Sequence, residues 1–303
     1  MKTIIIFTSP TSATTSLTRI VRTILDGSME YSAYYNDVVK NLSKKDLEEY
    51  SPPEKNQCLF HNQPNRFNKN IDLSNYRFIV NFRDPRDRIC NEYYWQFSHP
   101  KLDETPEQTE ARIKKVRDLG IDNWIIDRLR TQNAKKYYDS LFYVLENAPE
   151  SVTATYAQLC CGFDGFINRI SEFTGKPLTP KIMKALEPER PENIESHPKW
   201  IGGKWAGSDT MPGRYKRELQ PKTIDKINIY FEPVLKNMAK HDPDFAHQYL
   251  EGLVSPGAAN TAAAQTDSGK LEIRVGNVSI RTDLSIDDAQ LSRLIKLARQ
   301  TTS

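Results

Sequence analysis

Apolar and polar positions in this chain follow two alternating periods. Lys2 to Phe7 is a short β-branched run stopped by Thr8-Ser9-Pro10-Thr11-Ser12, which reads as a buried strand ended by turn residues. Leu17, Ile20, Val21, Ile24 and Leu25 then recur at i, i+3, i+4, i+7 and i+8. This predicts a helix with Ser12 or Thr14 capping its first turn and Gly27 closing its last. Cys58-Leu59-Phe60 predicts a second short strand with His61 at its C-terminal end, after the charged, Pro-containing stretch Ser43 to Lys55. Arg77 to Phe82 predicts a third, which Arg83-Asp84-Pro85-Arg86-Asp87 turns into a helix carrying Ile89, Tyr93, Tyr94 and Phe97 on one side. From about Glu107 to Asn147 the pattern reads as helical throughout. Val152 to Tyr156 reads as another strand, and Phe166, Ile167, Ile170 and Phe173 mark a helix ended by Gly175.

Strands that alternate with helices predict an α/β fold, a mostly parallel central sheet flanked by helices on both faces. Ligands bind such sheets outside the carboxyl ends of the strands, so the loops after Phe7, Phe60, Phe82 and Thr155 are expected to share one edge. This domain is expected to span residues 1–250. Residues 251–268, rich in Ala, Ser, Gly and Pro, read as a flexible linker. Residues 269–303 read as a small tail, a β-hairpin from Leu271 to Arg281 around Gly276-Asn277 and an amphipathic helix from Asp287 to Arg299. A tail this short cannot hold a core alone, so it is expected to dock or to pair with another copy, giving a homo-oligomer.

Composition narrows the class. The 303 residues are 38% hydrophobic and 27% charged, the balance of a soluble globular protein rather than a disordered or fibrous one. Lys plus Arg number 42 against 39 Asp plus Glu, so the net charge of +3 is too small for nonspecific nucleic-acid binding over the whole surface. No stretch approaches the roughly 20 apolar residues of a membrane helix, and Ile4-Ile5-Ile6-Phe7 is far shorter than a secretory core, so a cytoplasmic protein is expected. Cys58, Cys90, Cys160 and Cys161 have no CxxC spacing, and neither a disulfide scaffold nor a metal site is expected.

Two turns carry candidate chemistry. The loop Ser9 to Ser16 leads from a buried strand into a helix N-terminus, where unpaired N–H groups and the helix dipole favour an anion. An ordinary capped turn fits the same residues, and without a GxxxxGK[ST] pattern or any glycine in the loop a standard nucleoside-triphosphate loop is disfavoured. Arg83 ends a strand at the same expected edge, where its guanidinium either binds a second anion or pairs with Asp84 or Asp87 as a surface turn. Two anion sites on one edge suit a ligand with two phosphates.

Ser9-Pro10-Thr11-Ser12-Ala13-Thr14-Thr15-Ser16-Leu17 together with Phe78-Ile79-Val80-Asn81-Phe82-Arg83-Asp84-Pro85-Arg86-Asp87 resembles the sulfotransferases that use 3′-phosphoadenosine 5′-phosphosulfate (PAPS). Their first loop reads Pro-(Lys/Arg)-Ser-Gly-Thr-(Thr/Ser) and their second strand runs into Arg-(Asp/Asn)-Pro-(Arg/Lys)-Asp. Val152 to Leu159 with Phe173-Thr174-Gly175, and Gly213-Arg214-Tyr215-Lys216 before Leu219-Gln220-Pro221, resemble two later elements of that family in the same order. The resemblance covers about residues 1–250. It implies PAPS as sulfuryl donor, with no metal required, and a carbohydrate or small-molecule acceptor. Pro10, Thr11, Ser12, Ala13, Thr14, Thr15 and Ser16 would cradle the 5′-phosphosulfate, and Arg83 would hold the 3′-phosphate with Asn91, which falls where the family has Ser. Tyr156 would lie against the adenine or bond to it. His61, in Phe60-His61-Asn62-Gln63-Pro64, would take the acceptor proton, a task that suits imidazole near neutral pH.

The chain also departs from that pattern. Thr11 stands where the family places Lys or Arg beside the leaving group, Ala13 stands for Gly, and Ser208-Asp209-Thr210 replaces an Arg-Lys-Gly run. A missing cation would cost a few kcal/mol where charge builds on the departing oxygen. Lys204, Arg214 or Lys216 are the candidates to supply it. The alternatives to an active sulfotransferase are a nucleotide-binding module with weakened catalysis and, third, a kinase of the P-loop type.

Overall fold

The structure, a computed structural model, describes residues 1–40, 42–43, 46, 49–98, 104–193, 211–253, 270–275 and 278–283. The chain divides into two units, Met1–Leu253 and Val254–Ser303. In the first, strands β1 (Thr3–Thr8), β2 (Glu30–Ala33), β3 (Gln57–His61), β4 (Tyr76–Asn81) and β5 (Ser151–Thr153) form one sheet in the order β2-β3-β1-β4-β5. Every neighbouring pair is parallel, with Ile5 of β1 opposite Leu59 of β3 and Phe78 of β4. The α/β architecture read from the sequence is therefore the one observed.

The period of two in β1 sorts its side chains onto two cores. Ile4 and Ile6 join Ile79 of β4, Leu17, Ile20 and Ile24 of α1 (Thr14–Leu25), Phe166 and Ile170 of α6 (Phe163–Thr174) and Leu186 of α7 (Pro180–Leu186) on one face. On the other face Ile5 and Phe7 meet Leu59, Phe78, Val80 and Tyr138 and Leu141 of α4 (Lys136–Asn147). Phe231 and Leu235 of α9 (Pro221–His241) complete that layer. The whole of β1 is buried, which explains why its sequence is continuously apolar instead of alternating. Each such Ile contributes about 1.5–3 kcal/mol by leaving water.

Three sequence expectations are corrected and one strand is added. The helix expected over 107–147 is two, α3 (Pro106–Thr131), kinked at Gly120 with φ 66°, and α4. Tyr156 does not end a strand. It opens α5 (Tyr156–Cys161), because the Thr155 side chain accepts the Gln158 amide while the Gln158 side chain accepts that of Thr155, a capping box that turns the chain into a helix. β2 had no sequence signal, since only one of its four residues is buried. Finally, the N-cap of α1 is Ala13 with no side-chain bond to the helix, because the Ser12 hydroxyl is taken by Ser9 Oγ at 2.6 Å and Thr14 is already helical. The second helix is as expected, α2 (Pro85–Ser98), followed later by α8 (Arg214–Glu218) and α10 (Ala246–Leu250).

One buried carboxylate ties the C-terminal elements to the sheet edge. Asp242 accepts the Thr155 hydroxyl at 2.7 Å, Gln158 Nε2 at 2.8 Å and the Tyr249 hydroxyl at 2.7 Å. Asp242→Asn keeps one acceptor oxygen but sets an amide against hydroxyl partners, so it is expected to lower stability by about 1–3 kcal/mol. An unchanged urea midpoint would refute that role.

In the second unit β6 (Lys270–Val275) and β7 (Val278–Asp283) pair antiparallel, Ile273 opposite Ile280. The expected helix over 287–299 and residues 254–268 of the linker expected over 251–268 lie outside the described residues.

Candidate functional site

Parallel pairing brings the carboxyl ends of β1, β3, β4 and β5 to one edge, and the two turns singled out in the sequence meet there. The first leaves β1 with the Ser9 amide donating to the Asn81 carbonyl of β4 at 3.3 Å. Thr11 at φ 63° and Ala13 at φ 55° then hold the loop in two left-handed turns, a conformation that costs a residue with a Cβ roughly 1–2 kcal/mol. The first intrahelical bond of α1 runs from the Leu17 amide to the Ala13 carbonyl. The N–H groups of Thr14, Thr15 and Ser16 therefore have no acceptor within the helix, and no acidic side chain occupies the first turn. That leaves a cluster of amide donors at the positive end of a helix dipole. The Thr11 hydroxyl is buried without a hydrogen-bond partner among the described residues. Ser16 Oγ accepts from Arg19 Nη2 at 3.3 Å, and Arg19 pairs with the buried Glu189.

The second turn brings Arg83 against the first. Its Nη1 donates to the Thr11 carbonyl at 3.4 Å and its guanidinium lies 4.1 Å over the ring of Tyr156. The Arg83 carbonyl accepts the Tyr138 hydroxyl at 2.8 Å, which fixes its backbone. Arg83 is 4% exposed, yet Nε and Nη2 have no hydrogen-bond partner among the described residues. A buried guanidinium with two unused donors is costly unless something anionic completes it. The surface-turn alternative fails because Arg83 is buried and neither nearby carboxylate hydrogen-bonds to it, although Asp87 lies within its electrostatic reach. Asp84 pairs with Arg86 at 2.7 Å, and Arg86, fully buried, also bonds the carbonyls of Gln248, Tyr249 and Glu251. Asp87 accepts the amides of Gly213 at 2.8 Å and Tyr215 at 3.1 Å. Burial, with Asp84 close by, pushes the Asp87 carboxyl upward.

The remaining predicted residues divide into those at this edge and those apart from it. Tyr156 is buried, and burial raises its phenol pKa. Asn91 Oδ1 accepts from Arg214 Nη1 at 3.5 Å. Lys216 is exposed and pairs with Glu251. Lys204 lies outside the described residues, as does Ser208-Asp209-Thr210. His61 pairs in register with Phe7, one strand from the first loop, but its ring is 2% exposed. Tyr34 stacks on it with centroids 4.0 Å apart, Phe7 and Phe67 meet it edge-on, and Nδ1 accepts the Gln63 amide at 3.4 Å. Burial drives the imidazole down to about 3. A cavity of about 270 Å³ opens beside Tyr156, walled by Asp84, Asp87, Gly213, Tyr215 and Tyr249.

The sequence marks Asp87 only as a possible partner of Arg83 and gives Tyr138 and Asp242 no role. Asp87 stood inside the quoted Arg83 turn, so its motif position was a usable signal. Tyr138 and Asp242 act across 55 and 87 residues of chain, and nothing local marks them.

Residues 1–240 match the sulfotransferase domain family. The chain belongs to the sulfotransferase family. Among solved structures, this sulfotransferase is similar to mouse sulfotransferase SULT7A1 complexed with PAP, at TM-score 0.53 and 14% identity over 83% of this chain and 89% of that one. It is also similar to retinol dehydratase in complex with retinol and PAP, at TM-score 0.52 and 13% identity over 79% of this chain and 82% of that one. The same enzyme with androsterone and PAP gives TM-score 0.51 and 14% identity, over 79% and 81%. Identities this low speak for the fold alone. No curated protein matches the sequence of this sulfotransferase. Among the described residues no helix is long and apolar enough to cross a membrane.

Proposed function

We propose that this protein transfers a sulfuryl group from PAPS to a hydroxyl or amine of a small-molecule or carbohydrate acceptor. The observation that carries the reading is Arg83, a buried guanidinium with two unused donors that touches the carbonyl of Thr11. The two anion-binding turns are thereby contiguous, as a nucleotide with phosphate groups on both its 3′ and 5′ positions requires. Arg83 and the Asn91 amide hold the 3′-phosphate, and the amides of Thr14, Thr15 and Ser16, with the turn Pro10 to Ala13, hold the phosphosulfate. Tyr156, already stacked on Arg83, borders the nucleotide, while the donor itself supplies the activated sulfuryl group. His61 is the candidate to receive the acceptor proton, which requires the Tyr34 ring to move off it. Retinol and androsterone, present in the similar structures, make hydroxylated small molecules the first acceptors to try. A cytoplasmic location, a sulfotransferase domain over 1–250, a linker over 251–268 and self-association through the 269–303 tail belong to the same proposal.

The test is release of adenosine 3′,5′-bisphosphate from PAPS with an acceptor present, alongside calorimetric binding of that bisphosphate. Absence of binding would end the reading. A second reading, a nucleotide-binding module with weakened catalysis, is favoured by Thr11, which takes the motif position where the resembling family has Lys or Arg and whose hydroxyl is buried without a hydrogen-bond partner among the described residues. Thr11→Lys separates the two. A rate gain on the order of 10–100-fold over a measurable background identifies an enzyme short of one charge, whereas binding with no turnover in either form leaves the module.

A further inference from the structure

Asp87, Asn91 and Tyr94 lie at i, i+4 and i+7 on α2 and face α8 as one surface. Asp87 takes the amides of Gly213 and Tyr215, on either side of Arg214. Arg214 is fully buried, and its donors spread in a fork. Nε pairs with Glu218 at 2.6 Å, Nη1 donates to Asn91 Oδ1 at 3.5 Å, and the guanidinium plane lies 4.5 Å over the ring of Tyr94. A planar five-donor group serves all three at once, which an ammonium cannot. Arg83 stands just before α2, and Cys90, next to Asn91, is within electrostatic reach of both the Arg214 and the Arg83 guanidiniums.

An asparagine amide carries two donors on one side and an acceptor on the other, so it serves an anion only when its oxygen is turned away. We propose that Arg214 is a positioning residue for the nucleotide's 3′-phosphate: by holding Asn91 Oδ1 it turns the Asn91 N–H2 group toward the phosphate bound by Arg83. The inference rests on the nucleotide reading above. It also accounts for Asn at 91, since a hydroxyl there rotates to suit its partner unaided whereas a carboxamide needs its orientation imposed. Of the three basic candidates from the sequence, this gives Arg214 a task beside Asn91, while Lys216 is paired with Glu251.

Calorimetric titration of adenosine 3′,5′-bisphosphate and of adenosine 5′-phosphate tests it, in the full chain and in Arg214→Met, Arg214→Lys, Asn91→Ser and the double variant Asn91→Ser/Arg214→Lys. Arg214→Lys keeps a charge beside Glu218 and so guards against a fold lost to an unpaired carboxylate. Both Arg214 variants are expected to bind the bisphosphate about tenfold more weakly, with adenosine 5′-phosphate unchanged. In the Asn91→Ser background Arg214→Lys is expected to change bisphosphate affinity less than about twofold, because the serine hydroxyl needs no orienting. An equal loss in both backgrounds, an equal loss for both nucleotides, or no loss at all would overturn the positioning role. Should the unaltered protein bind both nucleotides alike, the nucleotide reading itself would fall, a result distinct from failure of Arg214 alone.

Discussion

Arg83→Met is expected to weaken the binding of adenosine 3′,5′-bisphosphate by about a hundredfold while leaving adenosine 5′-phosphate within about threefold of its original affinity. The size follows from burial. Arg83 is 4% exposed and has already given up its water, so a phosphate meeting Nε and Nη2 gains charge-assisted hydrogen bonds against little further desolvation. Arg83→Lys should fall between the two, because an ammonium keeps the charge but loses the fork and the stacking on Tyr156. The selectivity for one nucleotide is the informative part of the experiment. Equal losses for both nucleotides would mean that Arg83 supports the fold through its bond to the Thr11 carbonyl and is not a phosphate ligand.

Acidification is expected to destabilise the protein through His61. Burial holds this imidazole down to about 3, against an ordinary value near 6.5, so between those pH values the unfolded chain binds a proton that the native state refuses. Stability is therefore fully present above pH 6.5 and falls as pH drops, by roughly 3 kcal/mol at pH 4. The groups facing the ring are Tyr34, Phe7 and Phe67, which offer no counter-charge to an imidazolium. His61→Phe removes the titration, so the loss of urea stability between pH 7 and pH 4 should be smaller in the variant by about that amount. Carboxylates titrate alike in both proteins and cancel. Equal acid sensitivity would show that the ring is open to water in solution. The same burial bears on the chemistry, since an imidazole held near 3 is a poor proton acceptor. If His61 serves the acceptor, its task begins only once Tyr34 leaves the stack and polar groups enter.

The architecture was legible because its signals are local. The β-branched run at Ile4 to Phe7, the helical spacing from Leu17 to Leu25 and the repeat of that unit at Phe78 to Phe97 depend on side chains a few residues apart. The errors were local as well, where a side chain overrode the pattern. The Thr155 and Gln158 capping box converted an apparent strand end into a helix start, and Gly120 with the break after Thr131 divided a continuous helical pattern.

From the sequence alone came the parallel α/β sheet, the two turns at its edge and the family they resemble, because turn chemistry and hydrophobic period are written in neighbouring residues. Only the tertiary structure decided that Arg83 reaches Thr11 rather than Asp84, that His61 lies under Tyr34, and that Arg214 grips Asn91 across 123 residues of chain. A guanidinium or an imidazole takes its partner and its charge from whatever the fold packs around it. For these side chains that environment is assembled from strands and helices far apart in sequence, where no local pattern reaches.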